Sequence, residues 1–136
     1  MRAKPVLVLV HLQDLSATDK AHGDPIAEVV GAWSGPVVSV DRTLFQEPIQ
    51  PRNPAALSAW QKASTRLRAS GSATELAAAA KQLRRLFPDA EFTVTGCYAD
   101  ARRRNHGCVN YLALQLKTKP HKSRVLFPTT RKAAKG

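Results

Sequence analysis

The sequence predicts a small three-layer α/β domain of the Rossmann-like type, in which helices cover the faces of a mainly parallel, four-stranded sheet. Two observations carry this prediction. Short apolar runs that are typical of strands alternate with segments of helical periodicity, and most connections between them are short. The length of 136 residues suits a single domain.

The first strand and the first helix are predicted from an apolar run and a helix start signal. Residues 5–10 form a continuous apolar run, which is the pattern of a strand covered on both faces. Asp24 and Pro25 then provide an N-cap and a proline for the first helical position, and Gly35 ends that helix.

The second strand and the second helix repeat this order. Residues 36–40 are typical of a strand, and a polar, proline-containing connection follows over residues 41–52. Asn53 is the next start signal, and a weak apolar stripe extends the predicted helix to Leu67.

The third helix carries the clearest local signal in the chain. Ser72 and Glu75 have the spacing of a capping box, and Pro88 ends the helix. Residues 91–95 then form the third predicted strand.

A short helix and a last strand complete the predicted domain. The helix covers residues 107–117 and the strand covers residues 124–127. We therefore expect one α/β domain over residues 1–128, followed by a flexible basic tail over residues 129–136.

The charge of the chain is concentrated at its C-terminal end. The net charge is +11, and ten of these charges lie in the last 36 residues, which contain no Asp or Glu. Clustered Lys and Arg gain free energy by displacing counterions from phosphates, so the sequence favours a nucleic acid, RNA or DNA, as the partner. The residues expected to bind it are Arg102, Arg103, Arg104, Lys117, Lys119, Lys122, Arg124, Arg131 and Lys132, with Tyr98 as a stacking aromatic.

The same basic surface also suits a different class of partner. An acidic protein in a larger assembly would be attracted by the same cations. The sequence contains no motif that reads bases, such as RNP1 or a zinc finger, so we expect contacts mainly to backbone phosphates.

Polar residues follow three of the predicted strands. His11, Gln13 and Asp14 follow the first strand, Asp41 and Arg42 follow the second, and Gly96, Cys97, Tyr98 and Asp100 follow the third. Ligands of parallel sheets bind at the carboxyl ends of the strands, so these positions are candidates for chemistry. In the alternative interpretation, each of these residues is an ordinary loop residue without a chemical role.

Cys108 opens the last predicted helix, where unpaired N–H groups and the helix dipole lower the pKa of a thiol. Arg104 and His106 would lower it further. Cys108 is thus a candidate nucleophile; the alternative is a small buried residue that packs under Val109 and Leu112.

Three short motifs together resemble the site motifs of a known enzyme family. They are His11 and Gln13 after the first strand, Arg68 before the helix start Ser72-Ala73-Thr74-Glu75-Leu76, and Cys108-Val109 at the last helix. Together with the order of elements, they resemble the isochorismatase-like cysteine hydrolases. In that family the first strand ends in Asp-x-Gln, a lysine precedes the middle helix, and a cysteine is the nucleophile.

The resemblance implies a hydrolase alternative in which Cys108 is the nucleophile. The residues themselves offer His11 or His106 as the base and Asp14 or Asp100 as its carboxylate partner. His11 stands where the family has its aspartate and Arg68 stands near the place of its lysine. These departures imply a reworked or inactive site.

The sequence predicts no metal site and no cofactor. No phosphate-binding glycine loop is present, and the spacings of Cys97, His106, Cys108 and His121 match no zinc motif. The two cysteines are expected to be free thiols of a cytoplasmic protein. The first apolar run ends at His11 and is too short for a membrane span or a signal peptide, so no membrane partner is expected.

Overall fold

A parallel sheet of five strands lies at the centre of the fold. The computed structural model describes residues 4–44, 47–48, 50–97 and 107–126. The strands of the sheet are β1 (Lys4–Val10), β2 (Val37–Asp41), β5 (Thr65–Arg68), β6 (Ala90–Gly96) and β7 (Lys122–Val125). Their order is β5-β2-β1-β6-β7, and every neighbouring pair is parallel. The predicted fold class is confirmed, with five strands in place of four.

Four helices cover the two faces of this sheet. They are α1 (Lys20–Ala32), α2 (Pro54–Gln61), α3 (Ala73–Leu86) and α4 (Cys108–Leu116). A two-stranded hairpin of β3 (Thr43–Leu44) and β4 (Glu47–Pro48) lies in the connection between β2 and α2. None of the helices in the described parts of the chain is both long and apolar enough to cross a lipid bilayer.

The central strand β1 divides the hydrophobic core into two halves. Val6, Val8 and Val10 pack with α3 and α4, whereas Leu7 and Leu9 pack with α1 and α2. All five side chains are fully buried. Successive side chains of a strand point to opposite faces, and helices cover both faces of β1. Every position of the strand from Val6 to Val10 is therefore apolar, as the sequence predicted.

Two predicted helix caps are present, and one differs in detail. Asn53 Oδ1 accepts a hydrogen bond from Ala56 N at 3.0 Å, and Ser72 Oγ accepts one from Glu75 N at 3.2 Å. Glu75 Oε1 accepts a bond from Ser70 N at 2.9 Å. The Glu75 carboxylate thus bonds to the loop before α3, whereas in a standard capping box it would bond to the backbone N–H of the cap residue Ser72.

The predicted start of α1 at Asp24 and Pro25 is wrong. The helix begins at Lys20, because the Asp19 side chain caps it by accepting a hydrogen bond from His22 N. Pro25 is the sixth residue of the helix, beyond its first turn. Proline is favoured at the first helical position, so the Asp-Pro pair indicated a start that the Asp19 cap in fact places five residues earlier.

The predicted extension of α2 to Leu67 is also wrong. The helix ends at Gln61, and residues 65–68 form the edge strand β5 beside β2. Leu67 pairs with Val40 and is buried in the core that α3 and α4 cover. Pairing with an open strand edge outweighs a weak helical periodicity.

The last strand differs in its position along the chain. It covers Lys122–Val125, whereas the sequence predicted residues 124–127. Its pairing with β6 sets this register, since Glu91 lies beside Lys122 and Val94 beside Val125. The predicted basic tail over residues 129–136 lies outside the described residues and stays a prediction.

Candidate functional site

The carboxyl ends of β1, β2, β5 and β6 meet at one edge of the sheet, which we call the carboxyl edge. The chain leaves β1 through His11, whose φ of 49° lies in the left-handed region. His11 N donates to Val40 O at 2.9 Å, and Cys97 N donates to Val10 O at 2.9 Å. The exit of β1 is therefore bonded to the strands on both of its sides.

A close approach between β1 and β6 requires a glycine here. Gly96 has a φ of 134°, and a Cβ at this position would overlap Val10 O and lie 2.6 Å from Val10 N. Only a residue without a side chain allows the two strand ends to be this close.

His11 is fully buried at this edge and is held in one tautomer. Its Nε2 lies 2.6 Å from Ala69 O, and a carbonyl can only accept, so Nε2 carries the proton. Nδ1 then has the free lone pair. Burial lowers the pKa of His11, although the hydrogen bond to Ala69 O opposes this effect. The imidazole is neutral at pH 7.

A buried hydrogen-bond network lies next to His11 and is centred on Asp41. Asp41 Oδ1 accepts bonds from Gln13 Nε2 at 3.1 Å, from Trp60 Nε1 at 2.9 Å and from Ser39 Oγ. A buried carboxylate is costly unless it is hydrogen-bonded, and three donors satisfy this requirement. The network fixes the end of β2.

This network also holds the backbone of Arg42. Gln13 Oε1 accepts a hydrogen bond from Arg42 N at 3.2 Å, while the same side chain donates to Asp41. The Arg42 side chain then extends from a fixed point. Its Nε donates to Asp14 Oδ2 at 2.8 Å, and its Nη2 lies 3.5 Å from His11 Nδ1.

Cys108 is the first residue of α4, as the sequence predicted, and its thiol lies close to Arg42. A Cβ added to Gly71 would lie 3.5 Å from Cys108 Sγ and 3.4 Å from Arg42 Nη2. The Arg42 guanidinium and the Cys108 thiol therefore lie within van der Waals distance of the same point beside the Gly71 backbone. Gly107, with a φ of 85°, is the N-cap of the helix.

The expected lowering of the Cys108 pKa is wrong. Burial of the half-buried thiol raises its pKa, and this effect outweighs the Arg42 charge, which lowers it. Asp14 adds a further rise. The thiol is therefore protonated at pH 7. Arg104 and His106, which were expected to lower the pKa, lie outside the described residues.

The structure brings together three of the predicted catalytic residues. It adds Arg42, which the sequence marked as a candidate after β2 without a specific role, and Gly71, which the sequence did not mark. His11, Asp14 and Cys108 lie at the carboxyl edge with Arg42 and Gly71. The position of Arg42 directly after a strand was the available signal. Gly71 has no local signal, because its importance depends on Arg42 and Cys108, which are distant in sequence.

The described cations of the C-terminal quarter lie elsewhere. Lys117, Lys119 and Lys122 are exposed where α4 ends and β7 begins, at the opposite edge of the sheet, which we call the amino edge. Arg124 is exposed on β7 and donates from Nε to Thr93 Oγ1 at 3.1 Å. The remaining predicted phosphate-binding residues lie outside the described residues: Tyr98, Arg102, Arg103, Arg104, Arg131 and Lys132.

Helix α3 brings further cations to the amino edge. Arg84, which is partly buried, donates from Nη1 to Gln115 O and so joins the ends of α3 and α4. Arg85, beside it, is exposed. Within the described ranges, none of the lysines 117, 119 and 122 forms an ion pair.

The side chains of the described residues do not form a metal centre. No group of three or more His, Cys, Asp or Glu among them could hold a metal ion. Cys97 and Cys108 are both outside any disulfide.

No protein-family model matches the chain, and no curated protein and no solved structure is similar to it at a significant level.

Proposed function

We propose that this protein binds nucleic acid through backbone phosphates, with its basic C-terminal quarter as the main binding surface. The observation that carries this proposal is the charge distribution, because ten of the eleven net positive charges lie in residues 101–136. Such a surface attracts a phosphate backbone over a long range and releases its counterions on binding.

The amino edge supports this proposal with exposed cations from several elements. They are Lys4, Arg85, Lys117, Lys119 and Lys122. Asp89 and Glu91 are exposed at the same edge, so the cations outnumber the carboxylates there. Long, solvated side chains of this kind adapt to phosphates and carry little base preference.

Fluorescence anisotropy with labelled single-stranded RNA, single-stranded DNA and duplex DNA tests this function. We expect binding that weakens steeply as salt is raised, with a preference among the three probes that identifies the partner. A variant with Arg102, Arg103 and Arg104 changed to Gln measures the contribution of the residues beyond the described ranges. Absence of binding to all three probes at low salt would overturn the proposal.

An acidic protein partner is the competing outcome of this test. Salt dependence alone would not separate it from nucleic acid, since both partners are polyanions. The absorbance ratio at 260 and 280 nm of the protein purified at low salt separates them. Co-purifying nucleic acid raises the ratio, whereas a protein partner leaves it low.

A second candidate function rests on the carboxyl edge. We propose a cysteine hydrolase activity, related in its arrangement to the isochorismatase-like enzymes, in which Cys108 attacks an acyl carbon. The proximity of Cys108, Arg42, Asp14 and His11 favours it. His11 Nδ1 would take the thiol proton and return it to the leaving amine or alcohol, and water would then hydrolyse the thioester.

In the site without substrate, Cys108 is not activated, so this hydrolase function requires substrate binding to change the contacts of the site. The Cys108 thiol is protonated and the lone pair of His11 Nδ1 faces Arg42 Nη2. A panel of small amides and esters, assayed with the wild type and with Cys108→Ser, tests the activity. Hydrolysis that is equal in both proteins, or absent from both, excludes Cys108 as a nucleophile.

A further inference from the structure

We infer that the space beside Gly71, next to the Arg42 guanidinium and the Cys108 thiol, is a binding site for the carboxylate of a small molecule. The site extends the second proposed function, on which it rests for its chemistry, by naming the class of substrate. Carboxylate binding at Arg42 can itself be measured without any turnover.

The orientation of the Arg42 guanidinium is the first observation that supports this site. Its Nε edge is used by Asp14, at 2.8 Å from Oδ2. Its two terminal nitrogens face Gly71, because Nη2 and Nη1 lie 3.4 and 3.9 Å from the position that a Cβ of Gly71 would take. The pair of terminal nitrogens is the part of arginine that binds a carboxylate with two parallel hydrogen bonds.

These terminal nitrogens have spare donor capacity. A guanidinium has five N–H donors, of which Nε uses one on Asp14. The contact of Nη2 with His11 Nδ1 is long, at 3.5 Å. Among the described residues, the other donors of Arg42 have no acceptor, although the side chain is only 37% exposed. A ligand with two acceptor oxygens would satisfy them.

The hydrogen bonds that position Arg42 are the second observation that supports this site. Its backbone N–H is held by Gln13, and Gln13 is held in turn by the buried Asp41. The buried network fixes where the side chain begins, and Asp14 fixes its direction. A preorganised cation binds an anion with less loss of side-chain freedom than a mobile one does.

The existing ion pair does not compete strongly with a ligand. Asp14 is exposed, and its carboxylate binds Arg42 through one nitrogen only. Ion pairs in this setting contribute little to stability. A ligand carboxylate at the terminal nitrogens need not displace Asp14, because it uses a different edge of the guanidinium.

The neighbouring thiol indicates what else the ligand contains. Cys108 Sγ lies 3.5 Å from the same Cβ position. A carboxylate on Arg42 would therefore place an atom one or two bonds away against the sulfur. Small carboxylic acids with an adjacent electrophilic carbon fit this spacing.

Two alkylating reagents that differ only in their charge provide the test. Iodoacetate has a carboxylate next to its reactive carbon, and iodoacetamide is its neutral counterpart. The rate of Cys108 alkylation by each reagent is measured by peptide mass spectrometry on the folded, full-length protein. Dividing the iodoacetate rate by the iodoacetamide rate removes the effect of the thiol pKa, which is common to both.

The expected ratio for Cys108 exceeds that of 2-mercaptoethanol, an uncharged free thiol, by about tenfold, the scale of one charge-assisted hydrogen bond. Arg42→Gln should return the ratio to the free-thiol value, while far-UV circular dichroism shows that the variant is folded. Lys62→Gln, which removes an exposed cation from the end of α2, is the matched control and should leave the ratio unchanged.

Gly71→Ala supplies a second variant. Its methyl group would occupy the space itself and should slow both reagents without altering the charge of the site. A ratio equal to that of 2-mercaptoethanol, a ratio that persists in Arg42→Gln, or a Cys108 that neither reagent alkylates would each overturn the inference. Failure of the hydrolase assay alone would leave the ratio, and hence the site, intact.

Discussion

The two edges of the sheet differ in the burial and the hydrogen bonding of their polar residues. At the carboxyl edge, His11, Gln13 and Asp41 are buried and hydrogen-bonded, and Gln13 sets the position of Arg42. At the amino edge, Lys117, Lys119 and Lys122 are exposed and have no ion pair within the described ranges.

This difference teaches that one small domain can support two kinds of recognition. Fixed, partly buried groups recognise the shape of a small molecule, because their geometry does not change on binding. Solvated cations recognise charge density, because each can follow a phosphate that moves. Mutations at the two edges should therefore affect different properties.

Gly96→Ala should have the largest effect, because it strains the carboxyl edge itself. The new Cβ would overlap Val10 O at a φ of 134°. We expect a loss of about 3 kcal/mol or more in the free energy of unfolding, measured by urea denaturation. Gly71→Ala, at a position with ordinary contacts and no positive φ, should change it by less than about 1 kcal/mol. Equal effects of the two variants would contradict this explanation.

Asp41→Ala should come next, since it removes the centre of the buried network. Three donors, on Gln13, Ser39 and Trp60, would lose their acceptor. An unsatisfied buried polar group costs about 1–3 kcal/mol, and three donors at the lower end of this range give an expected loss of about 3 kcal/mol in the free energy of unfolding. Glu91→Ala, which removes an exposed carboxylate at the amino edge, is the control and should change it by less than about 0.5 kcal/mol.

Replacing Lys117, Lys119 and Lys122 together by Gln should weaken nucleic-acid binding and leave stability nearly unchanged. We expect the affinity to fall by about tenfold or more in low salt, and the salt slope to decrease by about one for each phosphate that the variant no longer neutralises. A control triple variant at Lys20, Arg52 and Lys62 removes the same charge from exposed positions elsewhere. Equal reductions of affinity in both variants would show that net charge acts without a defined surface.

The smallest expected effect is a pH dependence of stability that His11 causes. Its pKa in the folded protein is lowered by burial from the ordinary value of 6.5, so the folded state binds fewer protons than the unfolded chain. Stability is therefore fully present above pH 6.5 and falls as the pH drops through that value toward the lowered folded pKa.

Thermal denaturation of the wild type between about pH 7.5 and 5 would measure this effect. The same scan of His11→Asn gives the comparison, because asparagine does not titrate and tolerates the left-handed conformation of this position. We expect the decrease in melting temperature to be smaller in the variant. Parallel curves for the two proteins would show that His11 is not the responsible group.

Local signals in the sequence predicted most of the fold. The unbroken apolar run of β1 and the caps at Asn53 and Ser72 depend on residues within a few positions of one another, and the structure has all three. Where a weak local signal competed with pairing to a strand, the prediction was wrong. Residues 65–68 are the example, because the open edge of β2 made them a strand.

The candidate site was only partly predictable. His11, Asp14 and Cys108 stand at strand or helix ends, and that position is visible in the sequence. The role of Arg42 was not visible, because it depends on Gln13, which lies 29 positions earlier and joins it to Asp41. The raised pKa of Cys108 was also not visible, since burial depends on the packing of the whole domain.

The sequence by itself determined the α/β class, the helix caps at Asn53 and Ser72 and the concentration of positive charge in the last 36 residues. Each is a property of composition or of neighbouring residues, and such properties need no knowledge of long-range contacts. Only the tertiary structure decided the order of the strands and the separation of the two edges. It also decided the meeting of Arg42, Gly71 and Cys108, because loops distant in sequence become neighbours only where parallel strands end together.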